Sequence, residues 1–262
     1  MPQWDARQYL KFENERTRPA RDLLAQVPLT APRMVADLGC GPGNSTQLLV
    51  ERFPKARVIG VDTAPDMLEK ARIRLPHVQF LEGDVAAASQ SSEDSWRDHG
   101  PFDLLYANAV LQWLPDHATL LPSLVELLTR GGVLAVQMPD NLDQPSHRLI
   151  REVAAAGPWS ARLAGIERMK LACVTAYYDM LTPYMRRVDI WHTIYQHPLD
   201  DVNAIAEWGK GTGLLPYLGL LDASEQALFL ADYTEKLAAH YHMRADGKVL
   251  LAFPRLFIVA QK

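Results

Sequence analysis

Between residues 33 and 140, short apolar runs alternate with longer stretches whose apolar positions recur at helical spacing. The runs are "MVADLG", "RVIGVD", "VQFLEGD", "FDLLYAN" and "GGVLAVQMP", each rich in Val, Leu, Ile or Phe and each closing on Asp, Asn, Gly or Pro. Near-continuous apolar runs of this kind predict strands covered on both faces, as in a parallel sheet. "STQLLVERF", "PDMLEKARIRL" and "HATLLPSLVELLTR" predict the intervening helices. A proline opens the second, and Gly131 and Gly132 stop the third. Strand and helix in regular alternation predict a doubly wound α/β sheet.

Residues 86 to 100, "AAASQSSEDSWRDHG", break this rhythm and read as a surface loop or a frayed extra helix. Beyond residue 140 the pattern changes. Residues 145 to 186 are mostly helical in character, "VDIWHTIYQH" reads as a strand, and "AIAEWGKGTGLLPYLGLL" and "SEQALFLADYTEKLAAHY" read as helices. "KVLLAFPRLFIVAQK" predicts two short strand pieces around Pro254. The resulting expectation is one domain over 1–262, with a helical cap over 1–30, a cofactor-binding half over 31–140, and a helical lid built from 141–187 and 199–247.

Composition agrees with a folded enzyme-sized core, since 48% of the 262 residues are hydrophobic and 22% are charged. A net charge of −4 argues against a nucleic-acid or anionic-membrane partner. Two cysteines, Cys40 and Cys173, build no disulfide framework and have no metal-ligand spacing, so no metal is expected. The opening residues carry charges every few positions without an apolar core, and no run is long enough to span a bilayer. A cytoplasmic protein, monomeric or weakly dimeric, is expected.

Candidate chemistry concentrates in "VADLGCGPGNST", residues 35 to 46. Gly39, Gly41 and Gly43 let the backbone turn sharply and approach a ligand, as in nucleotide-binding loops. The dinucleotide pattern is G-x-G-x-x-G, and Asn44 stands where its third glycine belongs. Asp37, two residues before the loop, would repel a pyrophosphate and attract an ammonium group, which favours a ligand with an amino-acid head. Asp62 ends the second run, where a carboxylate accepts ribose hydroxyls of either NAD or S-adenosylmethionine. Asp84 ends the third and stands where an adenine amino group could donate to it. A strand-end aspartate also serves as a helix N-cap, but three in succession on the first half-sheet favour a ligand. Cys40 reads as a packed thiol.

"VADLGCGPGNST", "VIGVD", "FLEGD", "NAVLQWLPDH" and "GGVLAVQMPDN" together resemble the ordered motifs of class I S-adenosylmethionine-dependent methyltransferases. "YLKFENERTRPARDLL", "VLAVQMPDN", "YYDML", "VDIWHTIY", "TGLLPYL" and "LLAFPRLFIVA", spread from residue 9 to 260, look like the trans-aconitate 2-methyltransferase family within that class. The resemblance implies a Rossmann-like, mostly parallel seven-stranded sheet with helical lid insertions. It implies S-adenosyl-L-methionine as methyl donor, S-adenosyl-L-homocysteine as product, and a small tricarboxylic acid as acceptor. Carried over by residue, Asp37, Gly39, Gly41 and Asn44 would surround the methionine part. Asp62 and Met67 would meet the ribose, and Asp84 and Val85 the adenine. Asn108 with the Gln112–Trp113 pair would line the gap where the methyl passes, orienting the reactants without a general base. The alternative within the class is another carboxylate acceptor, such as a malonyl-carrier thioester.

A tricarboxylate needs cationic anchors for the carboxylates that do not react, and arginine suits this through its bidentate fork. Candidates are Arg16 and Arg18 near the start, His147 after "MPDN", and Arg255, which interrupts an apolar strand. Tyr177 and Trp191, with Tyr178 and Tyr217, are candidates to close the pocket or to pack the core. The stretch from 155 to 175 carries no placeable motif.

Overall fold

The computed structural model describes residues 13–86 and 95–262, and the side chains of residues 13–16 are outside that description. The Arg16 side chain and residues 87–94 of the polar 86–100 segment therefore lie outside the description. Seven strands form one sheet: β1 (Met34–Leu38), β2 (Arg57–Asp62), β3 (Gln79–Glu82), β4 (Phe102–Asn108), β5 (Leu128–Pro139), β6 (Arg187–Leu199) and β7 (Val249–Gln261). Their order is β3-β2-β1-β4-β5-β7-β6. The β1–β2, β1–β4, β2–β3 and β4–β5 pairings are parallel.

Among the described residues, ten α-helices accompany them: α1 (Glu13–Ala25), α2 (Asn44–Arg52), α3 (Pro65–Arg74), α4 (His117–Glu126), α5 (Pro145–Ala156), α6 (Ser160–Leu163), α7 (Val174–Leu181), α8 (Val202–Lys210), α9 (Leu215–Leu218) and α10 (Ala223–Ala238). Local chemistry accounts for their starts. Pro65 and Pro145 sit in first turns, where a missing N–H costs nothing. Asp116 caps α4, and Asp222 with Glu225 forms a capping box on α10.

The chain divides into two compact units. One comprises Asn14–Pro139, Leu171–Thr193 and Leu256–Lys262. Its core is apolar and continuous, with Ile59, Leu105, Leu134, Leu181 and Ile258 among its buried members. The other comprises Asp140–Lys170 and Ile194–Arg255. There Trp159 packs on Phe229 with ring centres 5.2 Å apart and donates from Nε1 to the Val153 carbonyl at 2.9 Å. Tyr233 donates to the Ser146 carbonyl at 2.7 Å, tying α10 to α5. Residues 171–187 fall in the unit that holds β1 to β5, and residues 199–247 in the other.

Two expectations are corrected. The helix over 117–130 ends at Glu126, and β5 has begun by Leu128. Gly131 lies inside the strand at φ +80°, and the Lys262 carbonyl accepts its N–H at 3.0 Å. The glycine serves a strand irregularity, where positive φ is needed, and does not stop a helix. Pro254 does not split the last strand either, for β7 runs unbroken from Val249 to Gln261. Proline lacks only the N–H, and its carbonyl accepts from Asp140 N at 2.9 Å.

Tyr106 on β4 is fully buried, and its hydroxyl donates to the Ala20 carbonyl of α1 at 2.5 Å. Tyr106→Phe removes that bond and is expected to cost about 0.5–1.5 kcal/mol. The check is a lower denaturation midpoint at unchanged slope; an unchanged midpoint removes the bond from the forces holding α1.

Candidate functional site

The glycine loop follows β1, whose register sets Asp37 between Gly60 of β2 and Tyr106 of β4. Asp37 is fully buried. Ser45 Oγ and Thr46 Oγ1, in the first turn of α2, donate to its Oδ2 at 2.7 and 2.6 Å. Its Oδ1 is buried with no hydrogen-bond partner among the described residues. Burial pushes the carboxyl up to about 7, against the two hydroxyls, and the nearby Asp62 charge adds to the rise. The two hydroxyls were not anticipated as site residues, although "NST" after the last loop glycine is a legible signal of donors at a helix start.

Gly39 has no room for a side chain: at φ +66° a Cβ would lie 2.4 Å from Val110 Cγ2. Gly41, at φ +53°, faces open space, so its backbone is approachable. Its N–H donates to Asp62 Oδ2 at 2.8 Å, while Asp62 Oδ1 accepts from Ala64 N at 3.0 Å. Asp62 thus holds the loop and also the entry to α3. Each oxygen keeps a further lone pair for a ligand hydroxyl. Asn44 opens α2 and Met67 is buried on α3. Cys40 is packed as expected, with its thiol pushed well above its ordinary value by burial.

Asp84 is exposed after β3 and caps its own turn, accepting from Ala86 N at 2.8 Å. Val85 is buried in the core beside Trp96. At the end of β4, Asn108 is followed by Ala109 at φ +57°, a left-handed conformation that costs free energy for any residue with a Cβ. Two bonds hold it there. Ala109 N donates to the Gln137 carbonyl at 2.8 Å, and Gln112 Nε2 donates to the Ala109 carbonyl at 2.7 Å. Gln112 Oε1 and Asn108 Oδ1 are buried without a partner among the described residues. His117 steadies the same strap, with Nε2 on the Leu111 carbonyl at 2.8 Å and Nδ1 on the Tyr177 hydroxyl at 2.7 Å. Trp113 is exposed.

Asp37, Asn108 and Gln112 each present a buried oxygen acceptor without a partner among the described residues, and Asp62 keeps acceptor capacity. This donor-seeking set fits a ligand bearing an ammonium group, ribose hydroxyls and an adenine amine. It does not fit a pyrophosphate, which offers only acceptors.

The expected acid anchors behave differently from one another. Arg18 pairs with Asp22 at 3.9 Å on the exposed face of α1. Tyr177 is fully buried with its hydroxyl on His117, and Trp191 stacks on Phe257 with ring centres 4.9 Å apart. Arg255 is buried with its guanidinium 4.7 Å from the Phe253 ring centre and 6.0 Å from that of Tyr195. His147 is driven down to about 3 by burial and by Arg168 and Arg151, so it contributes no positive charge near neutral pH. The unit that holds His147 contains a recess with two arginines, Arg151 and Arg168, that motif reading had not singled out.

A family described as "Methyltransferase domain" matches residues 35–132, which span the glycine loop and β1 to β4. The YcgJ protein from Bacillus subtilis has a similar solved structure, with a TM-score of 0.60 at 13% identity over 94% of this chain and 98% of that one. A putative methyltransferase from Bacillus halodurans gives 0.58 at 14% identity, covering 94% and 99%. Fold and loop together define a class I methyltransferase. Over the whole length of both chains, the protein is 58% identical to a trans-aconitate 2-methyltransferase of Rhodopseudomonas palustris strain BisB5. It is 54% identical to one of Azoarcus sp. strain BH72, over 99% of each chain. The chain belongs to the trans-aconitate 2-methyltransferase family.

The raised carboxyl at Asp37 predicts a pH dependence. Between its unfolded value of 3.8 and about 7, the folded chain holds a proton that the unfolded chain releases. Stability from this group is therefore complete below about 4 and lost as pH rises to about 7, by roughly 4 kcal/mol in all. Asp37→Asn is expected to flatten that part of the profile, read by denaturant titration across this range. An unaltered profile in the variant removes Asp37 as its source.

Proposed function

We propose that the protein transfers a methyl group from S-adenosyl-L-methionine to a carboxylate of trans-aconitate, releasing S-adenosyl-L-homocysteine and a monomethyl ester. The observation that carries this reading is the open Oδ1 of the buried Asp37 at the head of the glycine loop. Asp37, with Gly39, Gly41 and Asn44, holds the amino-acid end of the donor. Asp62 takes the ribose hydroxyls beside Met67, and Asp84 and Val85 meet the adenine. When bound, the donor supplies an electrophilic methyl on a sulfonium.

A carboxylate acceptor is ionised at pH 7, with a reference pKa near 4, so no side chain has to remove a proton. This agrees with the state of His117, whose two ring nitrogens are both engaged. The contribution of the chain is alignment, worth up to roughly 7–11 kcal/mol, and exclusion of water where opposite charges meet. Gln112 is a positioning residue. Its amide pins the strained Ala109, and that turn presents Asn108 and Val110 to the loop.

Labelled methyl transfer to trans-aconitate, compared with a malonyl-carrier thioester, tests the reading. Ester formation from the free acid is expected, with kcat level above about pH 6 because the acceptor carboxylates are ionised there. An inert free acid beside an active carrier substrate overturns it. Asp62→Ala is expected to weaken S-adenosylhomocysteine binding by about tenfold or more and to slow the saturated reaction less. Unchanged affinity by calorimetry removes Asp62 from the ribose site.

A further inference from the structure

Two residues other than glycine have positive φ among the described residues, Ala109 at +57° and Asp116 at +53°. They are the first and last residues of the strap that joins β4 to α4. A left-handed backbone at a residue with a Cβ persists only where neighbours hold it. At one end, the Gln112 amide and the Gln137 carbonyl hold Ala109. At the other, Asp116 Oδ1 accepts from Thr119 N at 3.2 Å, and the next residue is the buried His117. The middle is one turn of 3-10 helix, Leu111–Trp113. In it Trp113 N donates to the Val110 carbonyl at 3.0 Å, and Leu114 N to that of Leu111 at 2.9 Å.

His117 reaches back across this turn. The Leu111 carbonyl can only accept, so His117 Nε2, at 2.8 Å, carries a proton. Nδ1 of the neutral ring is then the acceptor for the Tyr177 hydroxyl at 2.7 Å. Tyr177 is fully buried on α7, which packs against α4, and the two ring centres are 5.6 Å apart. A hydroxyl 60 residues away in the chain therefore selects the His117 tautomer that can hold Leu111. Leu111 precedes Gln112, which closes the turn on Ala109, and Val110 between them fills the space that a Cβ on Gly39 would need. The contacts run from Tyr177 to the glycine loop within a single compact unit.

We propose that Tyr177 and His117 are positioning residues for methyl transfer: together they lock the strap in its strained shape and so fix Asn108, Val110 and Gln112 beside the glycine loop. It rests on the reading above in which Asn108 and Gln112 border the path of the methyl group. Without the lock, Ala109 relaxes towards negative φ and the strap shifts, while Asp37 and Asp62 keep their own bonds. The reaction then loses alignment and the donor keeps its anchors.

Tyr177→Phe is expected to lower kcat with trans-aconitate by about tenfold or more, with S-adenosylhomocysteine affinity within about threefold of wild type. Adding Ala109→Gly removes the cost of the left-handed backbone and should recover part of that loss, which a purely structural role of Tyr177 in the core would not give. If Tyr177→Phe folds poorly, His117 carries the same test. His117→Gln can donate to Leu111 and accept from Tyr177, so it should retain more kcat than His117→Leu. Hydrogen exchange read by mass spectrometry follows the lock without any acceptor: the peptide spanning Trp113 and Leu114 is expected to exchange about tenfold faster or more in Tyr177→Phe. Unchanged kcat or unchanged exchange in folded variants, a loss of donor affinity that matches the loss of kcat, or no recovery with Ala109→Gly overturns the proposal. If exchange accelerates but the wild type leaves trans-aconitate unmethylated, the lock stands and the acid-methylation reading falls.

Discussion

The carboxylate of Asp37 is the constraint on which the site depends. It is an ionisable group placed without solvent near the end of β1, where the register leaves it between Gly60 and Tyr106. A buried acid in that position needs donors, and Ser45 and Thr46 supply them. Those two bonds fix where α2 begins relative to β1, and therefore the path of the loop between them. Gly39 must then pass against Val110 and Gly41 must hand its N–H to Asp62. The geometry of the loop is largely a consequence of satisfying one side of one carboxylate and leaving the other side open.

A second constraint comes from Ala109. Its left-handed backbone is stored strain, and the Gln137 carbonyl and the Gln112 amide hold it. Gln112 and His117 thus act on the strap through backbone carbonyls. The polar-aromatic stretch "NAVLQWLPDH" spends its side chains on geometry, for the Gln112 amide and both ring nitrogens of His117 are engaged in holding it.

The residues expected to anchor the acid show how environment changes the meaning of a residue type. His147, an apparent cation in the sequence, is kept neutral by burial and two guanidiniums. Arg18 is an ordinary partner of Asp22 on a helix surface, and Arg255 lies against Phe253 and Tyr195. The recess beside His147 is lined by Arg151 and Arg168, which sit in ordinary helical and connecting sequence.

The sequence by itself determined the α/β class, the first five strands, the glycine loop and its preference for a donor-bearing ligand. Those features are local: strand burial shows as unbroken apolar runs, and a loop that needs positive φ shows as glycine at Gly39, Gly41 and Gly43. Only the tertiary structure decided that Gly131 serves a strand, that Pro254 leaves β7 whole, and that Tyr177 and Trp191 are committed to His117 and Phe257. It also brought Arg151, Arg168 and Tyr217 around one recess from three separate segments. The physical reason is range. Periodicity and backbone conformation are written within a few neighbouring residues, whereas charge state and hydrogen-bond partnership depend on groups distant in the chain and adjacent in space.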